Sequence, residues 1–395
     1  MFASLVAAAA GTLVIVGGAL DPGNDPIFAA FIAAIPGKDA TIAVIPAASA
    51  TPATSAQFFA DDLIRHKIAA NRIVTVRIAT QDDPATPGVD EAQWRGNASD
   101  PAEIAKIEQA GAIWFSGGDQ ARIVATLVAR DGSDTPMLSV IRKRLAAGAV
   151  VGGSSAGAAI MSAPMILQGD SLGALLPAPS GEQLKVGSGL GFFAAGLVDQ
   201  HFNTRARLGR LSVALSMLPP AGRLGYGIDE DTALVVDLAH GTARAIGTGY
   251  VTLLDARNAT YRGSKRMAAE GLVLGLASGG DTIDLRDQSI TPATYKNFTV
   301  GHESVDRAAL DEGGMALPGE TTAAVIGEGL IDNRGANRID RLSFSGNRGI
   351  VYRFAKLASS RGWWGRDGVG TARYAIEGIC FSILPVDLII KDEAR

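Results

Sequence analysis

Two adjacent serines sit in a cradle of glycine and alanine in "AAGAVVGGSSAGAAIM", Ala146 to Met161. Gly153-Ser154-Ser155-Ala156-Gly157 fits G-x-S-x-G, a spacing whose glycines let the chain turn sharply and leave the central side chain, Ser155, exposed. Ala149 to Val151 is a short apolar run, Gly152 and Gly153 break it, and Ala156 to Met161 favours helix. A serine at such a strand-turn-helix corner faces free N–H groups that favour negative charge growing on a substrate oxygen. The same residues also suit a strand and helix that merely pack closely, and the five-residue pattern alone does not separate the two.

A reactive serine needs a base within hydrogen-bond reach and an orienter behind that base. The chain has four histidines. His66 lies in an amphipathic helix pattern, His240 beside a glycine in a turn, and His302 in a polar stretch near the end of the chain. His201, in "LVDQHFNTRARLGRL", follows an apolar segment and has no simple packing role, which makes it the candidate base. "GYGIDEDTALVV" offers Asp229, Glu230 and Asp231 just before an apolar strand, and Glu230 is taken as the orienter.

After His201, Asn203 reads as a helix N-cap, and Leu208, Leu211, Leu215 and Leu218 form a core stripe that Pro219 ends. Arg207 and Arg210 flank the stripe, and Arg205 falls in the first turn, where positive charge opposes the helix dipole. Three guanidiniums there point either to a carboxylate-bearing partner or to a solvated surface. In "IWFSGGDQAR", Gly117 and Gly118 stand between a strand and a helix, with backbone N–H groups free to face an anion.

Apolar β-rich runs at Thr12–Val16, Thr41–Ile45, Ile73–Ile78, Ala112–Phe115 and Ala149–Val151 must position these corners. Helical segments are expected at Ser55–Ala69, Pro101–Ala110, Gln120–Ala129 and Pro136–Ala147, an alternation that argues a parallel sheet covered on both faces. The polar stretch Gln81 to Asp100 reads as a rim loop, and "GLVLGLASGGDTIDL" as a closing strand and its edge. After about Gln288 the periodicity weakens, and only "GIVYRFAKLAS" and "YAIEGICFSILPVDLII" look ordered. Residues 289–395 are therefore expected to form a C-terminal extension that covers a catalytic domain at 11–288, with "RGWWGRDG" as a loop.

Thirty-six basic residues face 40 acidic ones in 395, with no Lys/Arg block among aromatics, which argues against nucleic acid as a partner. No run after the first strand approaches the roughly 20 apolar residues that span a membrane. The sole cysteine, Cys380, reads as a buried residue, and one Cys with four His makes no zinc cluster, so no metal is expected. Residues 1–10 read as a clipped secretory signal or a disordered arm, leaving cytoplasm and export both open.

"IWFSGGDQ", "GGSSAGAA", "DQHFNTRARLGRL" and "GIDEDTA", in this order, resemble the serine peptidase family that contains the cyanophycinases and aspartyl dipeptidase. The resemblance runs from about Thr12 to Leu285, and the DQHF segment with its arginines favours the cyanophycinase branch. Ser154 stands where the family usually has threonine. The resemblance implies an α/β fold, a flavodoxin-like three-layer α/β/α sandwich related to class I glutamine amidotransferases, with the C-terminal extension outside it. It implies Ser155 as nucleophile, His201 as base, Glu230 as orienter, and Gln120, Asp199, Gln200, Arg205, Arg207 and Arg210 as the substrate pocket. Oxyanion donors would be the N–H of Ala156 and one from Gly117 or Gly118.

The implied reaction needs no cofactor and cuts cyanophycin, or β-Asp-Arg peptides, to β-Asp-Arg dipeptides; a homodimer is the assembly left open. The competing readings are a peptidase for ordinary aspartyl or isoaspartyl dipeptides and a non-catalytic binder of anionic peptides. Ser155→Ala is expected to abolish hydrolysis with the fold intact, while Ser154→Ala retains most of it. A dead Ser154→Ala beside an active Ser155→Ala would mean the corner has been read in the wrong register.

Overall fold

"TLVIV", Thr12–Val16, carries the long apolar run of a strand buried on both faces. It is β1, at the centre of a nine-stranded sheet, in a computed structural model that describes residues 11–176, 181–263, 266–311 and 313–389. The expected end segment 1–10 lies outside the described residues. Strands β2 (Thr41–Ile45), β3 (Ile73–Thr75), β4 (Ala110–Phe115) and β5 (Val150–Ser154) join β1 in parallel, in the order β1-β5-β4-β2-β3. β3 stops short of Ile78 because the Arg77 N–H turns to the Glu103 carboxylate at 2.7 Å instead of to a strand.

Five helices cover this parallel core: α1 (Asp25–Ala33), α2 (Pro52–Arg65), α3 (Pro101–Gln109), α4 (Gln120–Leu127) and α5 (Pro136–Ala146). Phe28, Phe31 and Phe59 of α1 and α2 pack with Val14, Val44 and Trp114 on one face. Ile107, Ile123 and Ile141 of α3 to α5 pack with Ile15, Ile45 and Phe115 on the other. Alternate residues of each strand therefore serve opposite cores. α2 ends at Arg65 rather than Ala69, where Lys67 enters the left-handed region at φ +71°.

The stretch 81–100 is not a bare rim loop. Asp83 and Glu91, both buried, accept from Thr54 N (2.7 Å) and Asp83 N (3.1 Å), and the Thr86 hydroxyl donates to Glu91 at 2.6 Å. A tight helix at Glu91–Ser99 follows. Buried carboxylates that accept several N–H and O–H bonds fix a loop that composition alone leaves free.

Past β5 come α6 (Ala156–Ala159), β6 (Met165–Gln168), α7 (Ser171–Leu175), β7 (Lys185–Gly187), β8 (Leu197–Asp199) and α8 (Leu208–Ser216). Next are β9 (Leu224–Ile228), β10 (Thr232–Asp237), β11 (Thr242–Gly247), β12 (Tyr250–Asp255), β13 (Thr260–Arg262), β14 (Ala268–Ser278) and β15 (Thr282–Asp284). The last strands are β16 (Ile290–Thr291), β17 (Asn297–Phe298), β18 (Arg338–Ser345), β19 (Arg348–Arg366) and β20 (Ala372–Asp387). β10 runs antiparallel to β1 and carries the first sheet outward through β11, β15 and β16. A second nine-stranded sheet runs β17-β19-β20-β14-β12-β9-β8, with β13 beside β14 and β18 beside β19. The whole is a mixed α/β fold.

The residues after Gln288 do not cover a finished sheet; they supply strands to it. β20 pairs along β14, Leu272 opposite Phe381 and Leu274 opposite Ile379, so the strand expected to close the sheet lies inside it. Trp363 and Trp364, expected in a loop, belong to β19 and face Ala375 and Tyr374 of β20. The turn comes at Asp367, whose carboxylate accepts from Val369 N and Thr371 N. Lys296 and Asp281 form an ion pair of 2.6 Å with both side chains fully buried, a second tie between the extension and β15's turn. Cys380 is half-buried rather than buried, because β20 turns one face partly to solvent.

Without β20, β14 would present a long unpaired apolar edge. A chain ending at Gln288 is therefore expected to collect in the insoluble fraction, checked by soluble yield and far-UV circular dichroism. A soluble fragment with the parent's melting temperature would show that β14 does not depend on β20.

Candidate active site

Ser155 is the single residue between β5 and α6, with φ +56° and ψ −109°, a conformation L-residues rarely adopt. Its neighbours make the corner sterically feasible. A Cβ on Gly153 would lie 2.7 Å from the Gly157 backbone, and one on Gly157 only 2.3 Å from the Phe115 carbonyl oxygen. Ala156 opens α6, so its N–H has no carbonyl one turn earlier to meet.

The Ser155 hydroxyl lies 2.8 Å from His201 Nε2, and His201 Nδ1 lies 2.5 Å from Glu230 Oε1. A carboxylate only accepts, so Nδ1 carries the hydrogen and Nε2 accepts from the serine. Three consecutive carbonyls at the end of β1 hold the three loops. Val16 O accepts from Ser155 N (3.0 Å), Gly17 O from His201 N (2.6 Å), and Gly18 O from Asp231 N (2.8 Å). Gly18, at φ +113°, has no room for a side chain: its Cβ would fall 2.3 Å from the His201 ring. Nothing in the sequence reading marked this Val16 to Gly18 segment as part of a site.

Of the three acids before β10, Glu230 alone meets the imidazole. Asp229 is buried and accepts from Asn203 and Tyr250, while Asp231 accepts from Asp21 N and Asn24 Nδ2. Asn203 is not a helix cap. α8 begins at Leu208, and residues 202–207 are turns with Ala206 at φ +50°, because the Asn203 side chain is committed to Asp229. Arg205 is thus not in a first helical turn. The leucine stripe is core as expected, with Leu208, Leu211 and Leu215 buried.

A cavity of about 450 Å³ opens beside Ser155, bounded by Gly118, Gln120, Gln200, Arg205, Arg207 and Arg210. Gly117 lies against the serine: its Cβ would stand 3.4 Å from that of Ser155. Asp199 lies beneath the cavity, almost fully buried, and takes a bidentate bond from Arg210 with Nε at 2.8 Å. Arg207 is 3.6 Å from the same carboxylate and donates to Gln200 Oε1 at 2.8 Å. Both arginines are buried, contrary to a solvated helix face; Arg205 is exposed and, among the described residues, has no ion-pair partner. Burial lowers the Arg207 guanidinium to about 10 against the pull of Asp199, which leaves it charged at neutral pH. Gln120 Nε2 donates to the Ile166 and Leu167 carbonyls at 3.0 and 2.6 Å. Sequence reasoning missed Glu182, an exposed carboxylate on the cavity wall, because it follows a Pro/Ala-rich stretch with no motif of its own.

The other histidines lie elsewhere. His66 stacks on Phe28 with ring centroids 4.1 Å apart, and exposed His240 pairs with Asp237. His302 is exposed. Among the described residues no group of three or more His, Cys, Asp or Glu is arranged for a metal ion, and no helix is long and apolar enough to cross a membrane.

The model of peptidase family S51 matches residues 88–243, a span that holds Ser155, His201 and Glu230. Cyanophycinases from Synechococcus elongatus and Thermosynechococcus vestitus are each 32% identical to the chain over 288 residues, 71% of this chain and 81% of theirs. The chain belongs to peptidase family S51. The cyanophycinase of Geminocystis herdmanii is another relative, 35% identical over 263 residues, 66% of this chain and 86% of its own. The crystal structure of a peptidase from an acI-B1 Actinobacterium aligns with 70% of this chain and 98% of its own, at 19% identity and a TM-score of 0.48. As an S51 member the protein is a serine peptidase, a hydrolase.

In this S51 peptidase burial holds His201 below the usual histidine value; the Glu230 bond opposes this, and the charges of Arg205 and Arg207 reinforce it. The neutral imidazole is therefore the form present at neutral pH. Because the folded state disfavours the cation, the unfolded chain binds the extra proton first, and acidification through the ordinary histidine range costs stability. Imidazole NMR should give His201 a titration midpoint below about 6.5, and Glu230→Gln should lower it further. A midpoint above the ordinary value would contradict the burial argument.

Proposed function

We propose that the protein is a serine-type exopeptidase that hydrolyses cyanophycin, multi-L-arginyl-poly-L-aspartate, to β-Asp-Arg dipeptides through an acyl-enzyme on Ser155. The observation that carries this is the unbroken line from Ser155 Oγ through His201 to Glu230, opening onto an arginine-lined cavity. The cyanophycinase names of its relatives supply the polymer. Five parallel strands with helices packed on both faces support a flavodoxin-like three-layer core for the catalytic part.

Ser155 Oγ attacks a backbone carbonyl carbon of the polyaspartate while His201 Nε2 takes its proton. The oxyanion of the tetrahedral intermediate is met by the N–H of Ala156 and that of Gly118 or Gly117, each contributing roughly 3 kcal/mol at the transition state. Collapse breaks the C–N bond, and the imidazolium returns its proton to the departing amine. Water, deprotonated by the same imidazole, then splits the ester and regenerates the serine. Glu230 holds the Nδ1–H tautomer and offsets the positive charge on the ring.

The arginines meet substrate carboxylates in unequal ways. Arg205 is free to fold onto an anion, whereas Arg207 and Arg210 are held in place by Asp199 and present only their remaining N–H groups. Glu182 is the cavity-wall carboxylate available to the guanidinium of a β-Asp-Arg unit. No metal or organic cofactor enters these steps.

Purified protein incubated with insoluble cyanophycin is expected to release a species of β-Asp-Arg mass, with Asp-X and isoaspartyl dipeptides turned over far less well. Arg205→Ala should raise KM by roughly tenfold or more, the loss of one charge-assisted bond, with little change in melting temperature. Arg210→Ala should instead destabilise the fold by about 1 to 3 kcal/mol, because Asp199 loses its bidentate partner and keeps only Arg207 at 3.6 Å and the Gln200 N–H. Release of free arginine, or better turnover of ordinary aspartyl dipeptides than of the polymer, would overturn the proposal.

A further inference from the structure

Asn203 sits two residues after His201, and Asp229 one residue before Glu230, so these two side chains belong to the loops that carry the base and its orienter. Asn203 Nδ2 spans both oxygens of Asp229 at 2.7 and 2.8 Å, and the Asn203 N–H adds a bond to Asp229 Oδ1 at 3.1 Å. The loop that carries the imidazole is thereby joined to the loop that carries the carboxylate.

Two further contacts load this bridge from the far end of the chain. Asn203 Oδ1 accepts from both the N–H and the hydroxyl of Thr322, each at 3.0 Å. Asp229 Oδ2 accepts from Tyr250 N at 3.0 Å, and the Tyr250 hydroxyl accepts from Tyr374 N of β20 at 3.3 Å. Thr322 is itself buried and precedes the helix Ala324–Ile331, whose Val325, Ile326, Leu330 and Ile331 belong to the core of the second sheet. The helix cannot slide easily, because Gly327 lies against the Tyr374 ring and the Tyr374 hydroxyl bonds Asp332 at 3.0 Å.

We infer that Thr322, acting through Asn203 and Asp229, is a positioning residue that sets the spacing and angle between His201 and Glu230. The C-terminal strands and helix then belong to the catalytic apparatus without touching substrate. The inference rests on the reading of Ser155, His201 and Glu230 given above. Its chemical logic is that Asn203 has only one amide carbonyl: with Thr322 occupying Oδ1, the NH₂ end is fixed toward Asp229. An Asn203 free to turn would release both loops, and an imidazole displaced by a fraction of an ångström loses reactivity steeply.

The test uses the rate at which a fluorophosphonate labels Ser155 in the full-length protein, which reads the serine, base and orienter whatever the natural substrate. Rates are normalised to the fraction of protein that retains native circular dichroism. Thr322→Val, which keeps the shape but removes the hydroxyl, is expected to slow labelling about tenfold, and Thr322→Ser to restore it. On a peptide substrate the same loss should fall in kcat with KM nearly unchanged, since no cavity group has moved.

The acid limb of the labelling profile is the second readout. The charged groups around the imidazole are Glu230, with Asp229 behind it, and Arg205 and Arg207 from its own loop. Only the bond to Glu230 should weaken in Thr322→Val. Because that bond favours the imidazolium, the limb should move to lower pH. Wild-type labelling rate and an unmoved acid limb in Thr322→Val, even with a lowered melting temperature, would reduce Thr322 to a fold contact and overturn the inference. Failure of the wild type to label at Ser155 at all would instead overturn the catalytic reading on which it rests.

Discussion

Three successive carbonyl oxygens at the end of β1 do most of the assembly. Ser155, His201 and Glu230 are separated by 46 and 29 residues along the chain, yet Val16, Gly17 and Gly18 bond to Ser155, to His201 and to the residue after Glu230. A central strand is the natural anchor: its own backbone is fixed by β5 on one side and β10 on the other, so its end moves least. The arrangement demands glycine. A Cβ on Gly17 would fall 2.0 Å from the Asp229 carbonyl oxygen, and Gly18 gives its side-chain space to the imidazole. Ser155 and His201 are both held at positive φ, at a cost of roughly 1 to 3 kcal/mol each that the surrounding packing must offset.

The cavity shows how a protein can keep several cations close together. Asp199 beneath the surface offsets one of the two charges of Arg207 and Arg210, and the Gly169 carbonyl takes a further N–H of Arg210 at 2.6 Å. Those guanidiniums are held rigid before any ligand arrives, so little side-chain freedom is lost when one binds. Arg205 has the opposite character, exposed and, among the described residues, without an ion-pair partner.

What the sequence disclosed follows from the range of the forces involved. The four longer parallel strands and α3 to α5 were legible because short-range patterning decides them, and Gly153 and Gly157 betray the corner because a contact of under 3 Å leaves no alternative. Glu230 was separable from Asp229 and Asp231 only as a choice among neighbours. The burial of Arg207 and Arg210 was hidden, since the partner that makes it tolerable, Asp199, looks in sequence like one more polar residue beside His201. Asn203 misled for a related reason: capping a helix and bridging to Asp229 call for the same side chain. β19 and β20 were legible only as two ordered segments, because a bulge between Lys356 and Arg361 interrupts the alternation of β19, and because only the pairing of β19 with β20, and of β20 with β14, makes them long strands.

The place of β20 has a consequence in time. It is the last described strand, yet it lies between β14 and β19 in the second sheet. During synthesis every residue of the Ser155, His201 and Glu230 line leaves the ribosome more than a hundred residues before the strand that completes their support. Contacts so distant along the chain form late and slowly. A growing chain therefore carries Ser155, His201 and Glu230 before β20 is in place, and on the function proposed above it would gain activity only as that strand pairs with β14.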